Sequence, residues 1–230
     1  MALKYEVKYD FISKIGDKEI EFKQWTAKDE RLYLQLIEKH GESVTDKMIF
    51  DTLIAPCIKD KNIVLSASEQ KKLLIDIRIE SISDSIKDTH VCEKCKEITE
   101  IDTKIKDCMT YIPSKFDIIE VGNLKFNMGP IRTNKEKESL KMDDGVVAYI
   151  FNDFLLHIHS IEIDGVLEDS FTKKELFSFI DNLPAPIFDE VFEKYQEMVD
   201  ELIIEYKFTC PHCNEEETID YSYIPNLLWV

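Results

Sequence analysis

Two pairs of cysteines constrain this chain more than any other feature in it. Cys210 and Cys213 lie in Tyr206-Lys-Phe-Thr-Cys-Pro-His-Cys-Asn-Glu-Glu-Glu-Thr-Ile-Asp-Tyr221, which reads as a strand, a tight turn begun by Pro211, and a second strand. Such a knuckle presents two thiolates to one metal ion and fills only half of a tetrahedral ligand sphere. A second pair, Cys92 and Cys95, stands in Thr89-His-Val-Cys-Glu-Lys-Cys-Lys-Glu-Ile-Thr-Glu-Ile-Asp102, again followed by an alternating, strand-like flank. With 114 residues between Cys95 and Cys210, a shared ion requires a fold that returns the end of the chain to its middle.

The remaining composition narrows the chemistry. The 230 residues carry 29 Lys plus Arg against 46 Asp plus Glu, a formal charge of −17, which opposes phosphate backbones and anionic lipid surfaces. Six cysteines are too few for a disulfide scaffold of this length, and their Cys-x-x-Cys spacing suits metal or redox chemistry better. Cys57, inside Leu53-Ile54-Ala55-Pro56-Cys57-Ile58, reads as a small buried hydrophobe, and Cys108 remains unassigned. No basic, apolar leader opens the sequence, and the longest apolar stretch, Val146 to Ile161, is interrupted by Asn152, Asp153, His157 and His159. The expectation is a chain of a reducing compartment, outside the membrane.

The periodicity predicts an α+β fold. Alternation in Tyr5 to Phe11 and again in Glu19 to Lys23, broken around Gly16, predicts an opening hairpin. Thr26 placed three residues before Asp29 caps a helix running from Ala27 to about Gly41. A second helix is expected over Ser43 to Ile58, and a third follows the capping signal Ser66-Ala-Ser-Glu69. The pattern then repeats: Ile15-Gly-Asp-Lys-Glu-Ile-Glu-Phe22 is echoed by Val121-Gly-Asn-Leu-Lys-Phe-Asn-Met128, and Met48-Ile-Phe-Asp-Thr-Leu-Ile-Ala55 by Tyr149-Ile-Phe-Asn-Asp-Phe-Leu-Leu156. The expected organisation is two related halves of hairpin plus helices, 1–110 and 111–230. Each ends in a knuckle, and one shared zinc site joins them in a compact unit. The second half carries an extra helix, opened by Pro184 and Pro186 and bearing Phe188, Val191, Phe192 and Tyr195 on one face.

Cys92, Cys95, Cys210 and Cys213 are the candidate ligands of a structural zinc ion, because four soft thiolates in paired turns make a closed tetrahedral site. His90 and His212, next to the pairs, are weaker alternatives as ligands. A thiol oxidoreductase fits less well: reactive thiols need positive surroundings, whereas Glu215, Glu216 and Glu217 crowd the second pair. His157 and His159, at strand spacing, read as packing or surface histidines. The lysine-rich run 134–141 is balanced by acids and reads as a solvated helix face. No phosphate loop, nucleophile elbow or paired-carboxylate motif is present, so no catalytic residue is assigned and the chain is not expected to be an enzyme. The sequence ends Tyr223-Ile-Pro-Asn-Leu-Leu-Trp-Val230, and Leu227, Leu228 and Trp229 are candidate anchors for a partner.

With these residues assembled, the chain resembles the baseplate hub subunit family of T4-like contractile-tailed bacteriophages. The resemblance is carried by Phe22-Lys-Gln-Trp-Thr-Ala-Lys-Asp-Glu-Arg-Leu-Tyr-Leu34 at the entry to the first helix and by Leu74-Ile-Asp-Ile-Arg-Ile-Glu-Ser-Ile-Ser83 before the central strands. It continues through Phe179-Ile-Asp-Asn-Leu-Pro184, Phe208-Thr-Cys-Pro-His-Cys213 and the hydrophobic terminus. It implies a non-enzymatic virion component, a hub or hub-proximal adaptor present in several copies that contacts other baseplate and tail proteins. Such a protein assembles in the host cytoplasm and binds neither nucleic acid nor membrane directly. A reading from a different class is a zinc-ribbon accessory factor of a transcription or replication complex.

Overall fold

The computed structural model describes residues 8–131 and 146–221, and within them the chain forms two compact units. The first comprises residues 8–61, 67–112 and 201–221, and the second residues 62–66 and 113–200. This division by contacts is interleaved along the chain, unlike the division 1–110 and 111–230 drawn from repeated motifs.

In the first unit, β1 (Phe11–Ile15) and β2 (Lys18–Phe22) form the opening hairpin, pairing Ile15 with Lys18 around Gly16. Gly16 holds φ at 58°, a left-handed conformation that any Cβ would disfavour. Helix α1 (Ala27–His40) starts at the expected cap: Thr26 accepts the Asp29 N–H, and the Asp29 carboxylate accepts the Thr26 N–H in return. Asp29 also receives the Lys23 ammonium at 3.0 Å, and both groups are buried. Burial acts to raise the Asp29 carboxyl, but its bonds from Thr26 and Lys23 outweigh that and hold it below its ordinary range.

The second helix is shorter than its periodicity implied. Helix α2 (Asp46–Ile49) passes into a π-turn over Phe50–Ile54 and stops. Pro56 offers no N–H to continue the ladder, and the Trp25 indole donates to the Leu53 carbonyl at 2.9 Å. Helix α3 (Ala67–Ser81) buries Leu73, Leu74 and Ile77 together with Arg78, whose guanidinium donates to the Ser83 and Ser85 carbonyls just beyond the helix. There follow β3 (Ser85–Val91) and β4 (Ile98–Lys104), paired from Val91↔Ile98 to Ser85↔Lys104, then the single turn α4 (Ile105–Cys108) and β5 (Met109–Ile112).

The second unit is built on a four-stranded antiparallel sheet. It contains β6 (Ile118–Val121), β7 (Leu124–Met128), helix α5 (Val146–His157), β8 (Ile158–Ile163) and β9 (Val166–Glu168), with the strands in sequence order across the sheet. The β6–β7 turn places Gly122 at φ 60°, as Gly16 is placed in the first hairpin. Helix α6 (Lys173–Asp181) carries a second reciprocal cap, Thr172 with Glu175, and α7 (Ala185–Gln196) begins at Pro184 as expected. Phe126, Phe154, Leu176, Ile180, Val191 and Tyr195 are buried in one core with further phenylalanines packed around it.

His157 and His159 do not share a strand: His157 closes α5 and His159 lies in β8. The buried His157 ring stacks on Phe116, and His159 lies over Gly129 with Nε2 3.1 Å from the Pro130 carbonyl. The chain then returns to the first unit, where β10 (Glu201–Thr209) pairs with β5 on one side and β11 (Glu216–Asp220) on the other. Among the described residues, no helix is long and apolar enough to cross a membrane.

Candidate metal centre

Each cysteine pair sits at the tip of a two-stranded ribbon, and the two tips are built alike. In the β3–β4 ribbon the Cys92 N–H donates to Glu97 O at 3.1 Å and the Lys96 N–H to Cys92 O at 2.9 Å. In the β10–β11 ribbon the Cys210 N–H donates to Glu215 O at 2.8 Å and the Asn214 N–H to Cys210 O at 2.9 Å. Both turns need a left-handed residue directly after the second cysteine, supplied by Lys96 at φ 63° and Asn214 at φ 56°. These bonds aim both sulfurs of a pair to the same side of the turn.

The two tips meet. Cys92 Sγ lies 3.6 Å from Cys213 Sγ, and Cys95 Sγ lies 3.6 Å from Cys210 Sγ. All four sulfurs fall within 4.8 Å of one another. Disulfide sulfurs would stand about 2.05 Å apart, and all six cysteines are free thiols. Four thiolates around a tetrahedral zinc ion at about 2.3 Å lie about 3.8 Å from one another, so the donor set and spacing fit such an ion. Cys92 and Cys210 are fully buried, and Cys95 and Cys213 are half-buried.

Polar side chains join the ribbons beside the sulfurs. Glu217 on β11 reaches across to the first tip, where its carboxylate accepts the Glu93 N–H at 2.9 Å and approaches Cys92 Sγ at 3.1 Å and His90 Nε2 at 2.5 Å. Lys94 donates to Glu215 at 2.5 Å, and the His90 ring meets Phe208 edge-on at 5.2 Å. At Cys92 the Cys95 backbone favours thiolate, but the Glu217 carboxylate and burial prevail and push the thiol up to about 12. At Cys210 burial favours the thiol, but the His212 and Cys213 N–H groups and the neighbouring thiols prevail and bring it down to about 7. An ion that takes all four as thiolates supplies the positive charge these side chains lack.

His90 is engaged with Glu217 and is outside the four-sulfur group, as is His212. Glu217 is the functional residue that sequence reasoning missed. In the sequence it looks like one of three consecutive acids, and only alternation along β11 distinguishes its inward-facing position. Cys57 is fully buried as expected, with burial pushing its thiol up to about 11 despite Lys23 Nζ at 3.6 Å. The run 134–141 and the terminal Leu227, Leu228 and Trp229 lie outside the described residues.

A protein-family model described as T4 bacteriophage base plate protein matches residues 4–229, nearly the whole chain. The chain belongs to that family. Membership gives it a structural role in the phage baseplate and a place in the virion tail. The match spans both cysteine knuckles, so the sulfur group is part of the baseplate protein itself and not of an appended module. No curated protein and no solved structure matches the chain.

Proposed function

We propose that this baseplate protein is a hub or hub-proximal adaptor of a contractile tail, that it works through protein–protein contacts without catalysis, and that Cys92, Cys95, Cys210 and Cys213 hold one structural zinc ion. The observation that carries the reading is the convergence of four sulfurs from two ribbons in a chain matched to the baseplate family nearly end to end. A closed four-thiolate site has no open position for substrate, and its role is to fix the ribbons against each other. An acidic chain with a net charge of −17 suits docking between protein neighbours and disfavours direct contact with nucleic acid.

The terminal Leu227, Leu228 and Trp229 are the proposed anchor on a neighbouring tail protein, since aromatic and aliphatic side chains dominate such contacts. The protein is placed in several copies in the finished particle after assembly in the host cytoplasm. The two halves 1–110 and 111–230 are read as related, supported by the matching hairpins at Gly16 and Gly122 and the matching knuckle bonds.

Quantitative mass spectrometry of purified particles tests the reading. A few copies per particle, in fixed ratio to the major tail proteins, is the expected result. Absence from particles, with abundance in infected cells and recovery with polymerase subunits, would replace it with the accessory-factor reading.

A further inference from the structure

The ribbon tips and the second unit are stabilised by different means. Around the sulfurs, the apolar cluster consists of Cys92, Ile101, Phe208 and Cys210 with Cys95, Tyr206, Cys213 and Ile219 packed against it, so half of its members are the cysteines themselves. The β3–β4 ribbon has only two strands, and an isolated two-stranded ribbon is marginal in water. At the tips the polar links from one ribbon to the other rest on Glu215 and Glu217, with the Tyr221 O–H donating to Asp88 at 3.4 Å farther down, and the Lys94–Glu215 pair is exposed, where an ion pair contributes little.

The second unit has no cysteine in its sequence. Phe154 is fully buried and meets Phe188, Phe192 and Tyr195 at ring separations of 5.0 to 6.2 Å. Its two ends are clasped to each other, the Lys115 N–H donating to the Met198 carbonyl at 2.7 Å. The strands that lead into it and out of it, β5 and β10, are paired at Ile112 and Glu201 within the first unit.

Resting on the zinc reading above, we infer that the ion is a staple for the ribbon tips alone: without it the tips lose order while the second unit keeps its fold, and so do the ribbon bases, held by the buried Ile86, Ile204 and Tyr221. The protein would then have a metal-dependent part and a metal-independent part, and metal supply during assembly would decide whether the ribbon tips can present a rigid surface. The physical ground is that cysteines make up half of the apolar cluster at the ribbon tips, whereas the second unit buries aromatic side chains and has no cysteine in its sequence.

Hydrogen exchange on the full chain, zinc-loaded and then stripped with a chelator under reducing conditions, tests this. Peptides covering 88–101 and 207–219 are expected to exchange at least about ten-fold faster after stripping, and Zn2+ alone should restore them. Peptides covering 118–128 and 158–163 should be unchanged. Loss of protection in both regions, or in neither once the metal is gone, overturns the inference. A purified chain that binds no Zn2+ refutes the metal reading itself, which metal analysis of the same sample separates from the first case. Phe154→Ala gives a second route: it should speed exchange in the second unit with zinc content unchanged, and loss of zinc from this variant would equally overturn the independence of the two units.

Discussion

The two ribbons share one backbone and differ in charge. Their turns make the same bonds and each requires a left-handed residue after its second cysteine, yet Cys92 is pushed up to about 12 while Cys210 is brought down to about 7. The residues two places before each first cysteine, His90 and Phe208, pack against each other, and their cross-strand partners are Thr99 and Glu217. Glu217 is engaged with the opposite ribbon, whereas the buried Thr99 hydroxyl finds no hydrogen-bond partner among the described residues. A turn thus fixes where sulfurs point. The other ribbon's Glu217 side chain pushes Cys92 up, whereas the N–H groups of its own turn bring Cys210 down.

The largest test treats the ribbons as equals. Cys92→Ser and Cys210→Ser should each reduce bound zinc from about one ion per chain to almost none, because structural zinc contributes about 10 to 16 kcal/mol apparent and cannot keep a three-sulfur site intact. Elemental analysis with thermal unfolding measures this. Two independent ions, or damage from one substitution only, would refute a shared site.

A smaller effect should separate the ribbons. Glu217→Ala removes a carboxylate that opposes the Cys92 thiolate, so it is expected to bring the Cys92 thiol down and to tighten zinc binding several-fold, although the bond it accepts from the Glu93 N–H is lost. Thr99→Ala, at the matching position of the other ribbon, should leave affinity unchanged or raise stability slightly, since it deletes an unpaired buried hydroxyl. Competition against a chromophoric chelator reads both, and equal effects from the two substitutions would show that the asymmetry has no energetic weight.

The smallest effect concerns the turns. Left-handed backbone costs an ordinary L-residue about 1 to 2 kcal/mol, and asparagine less. Lys96→Gly should therefore raise stability by up to about 1 kcal/mol, and Asn214→Gly by a few tenths at most, after the added flexibility of the unfolded chain is counted. Denaturant melts of the two variants give the comparison. A larger gain at Asn214 would mean that its side chain, and not its backbone, is the strained element.

Much of this arrangement is legible without coordinates because its causes are local. The Thr26–Asp29 cap is a contact between residues three apart, the Gly16 and Gly122 turns are conformations of single residues, and each Cys-x-x-Cys turn closes on itself. The second helix was overestimated because its end is set from outside, by Trp25 bonding to the Leu53 carbonyl, with Pro56 preventing resumption. His157 and His159 are packing histidines as expected, but their strand spacing does not put them on one strand. The chain changes from helix to strand between His157 and Ile158, so a two-residue spacing no longer means a shared face.

The sequence by itself determined that four cysteines would be presented in two matched turns. The tertiary structure alone decided that the two turns face each other, that Glu217 links them while Thr99 does not, and that residues 201–221 rejoin a unit begun at the other end of the chain. The division has a physical cause. Turn and cap energies depend on neighbours a few bonds away, whereas ribbon docking and the upward push on Cys92 depend on groups more than a hundred residues distant, whose approach the sequence does not encode at any fixed spacing.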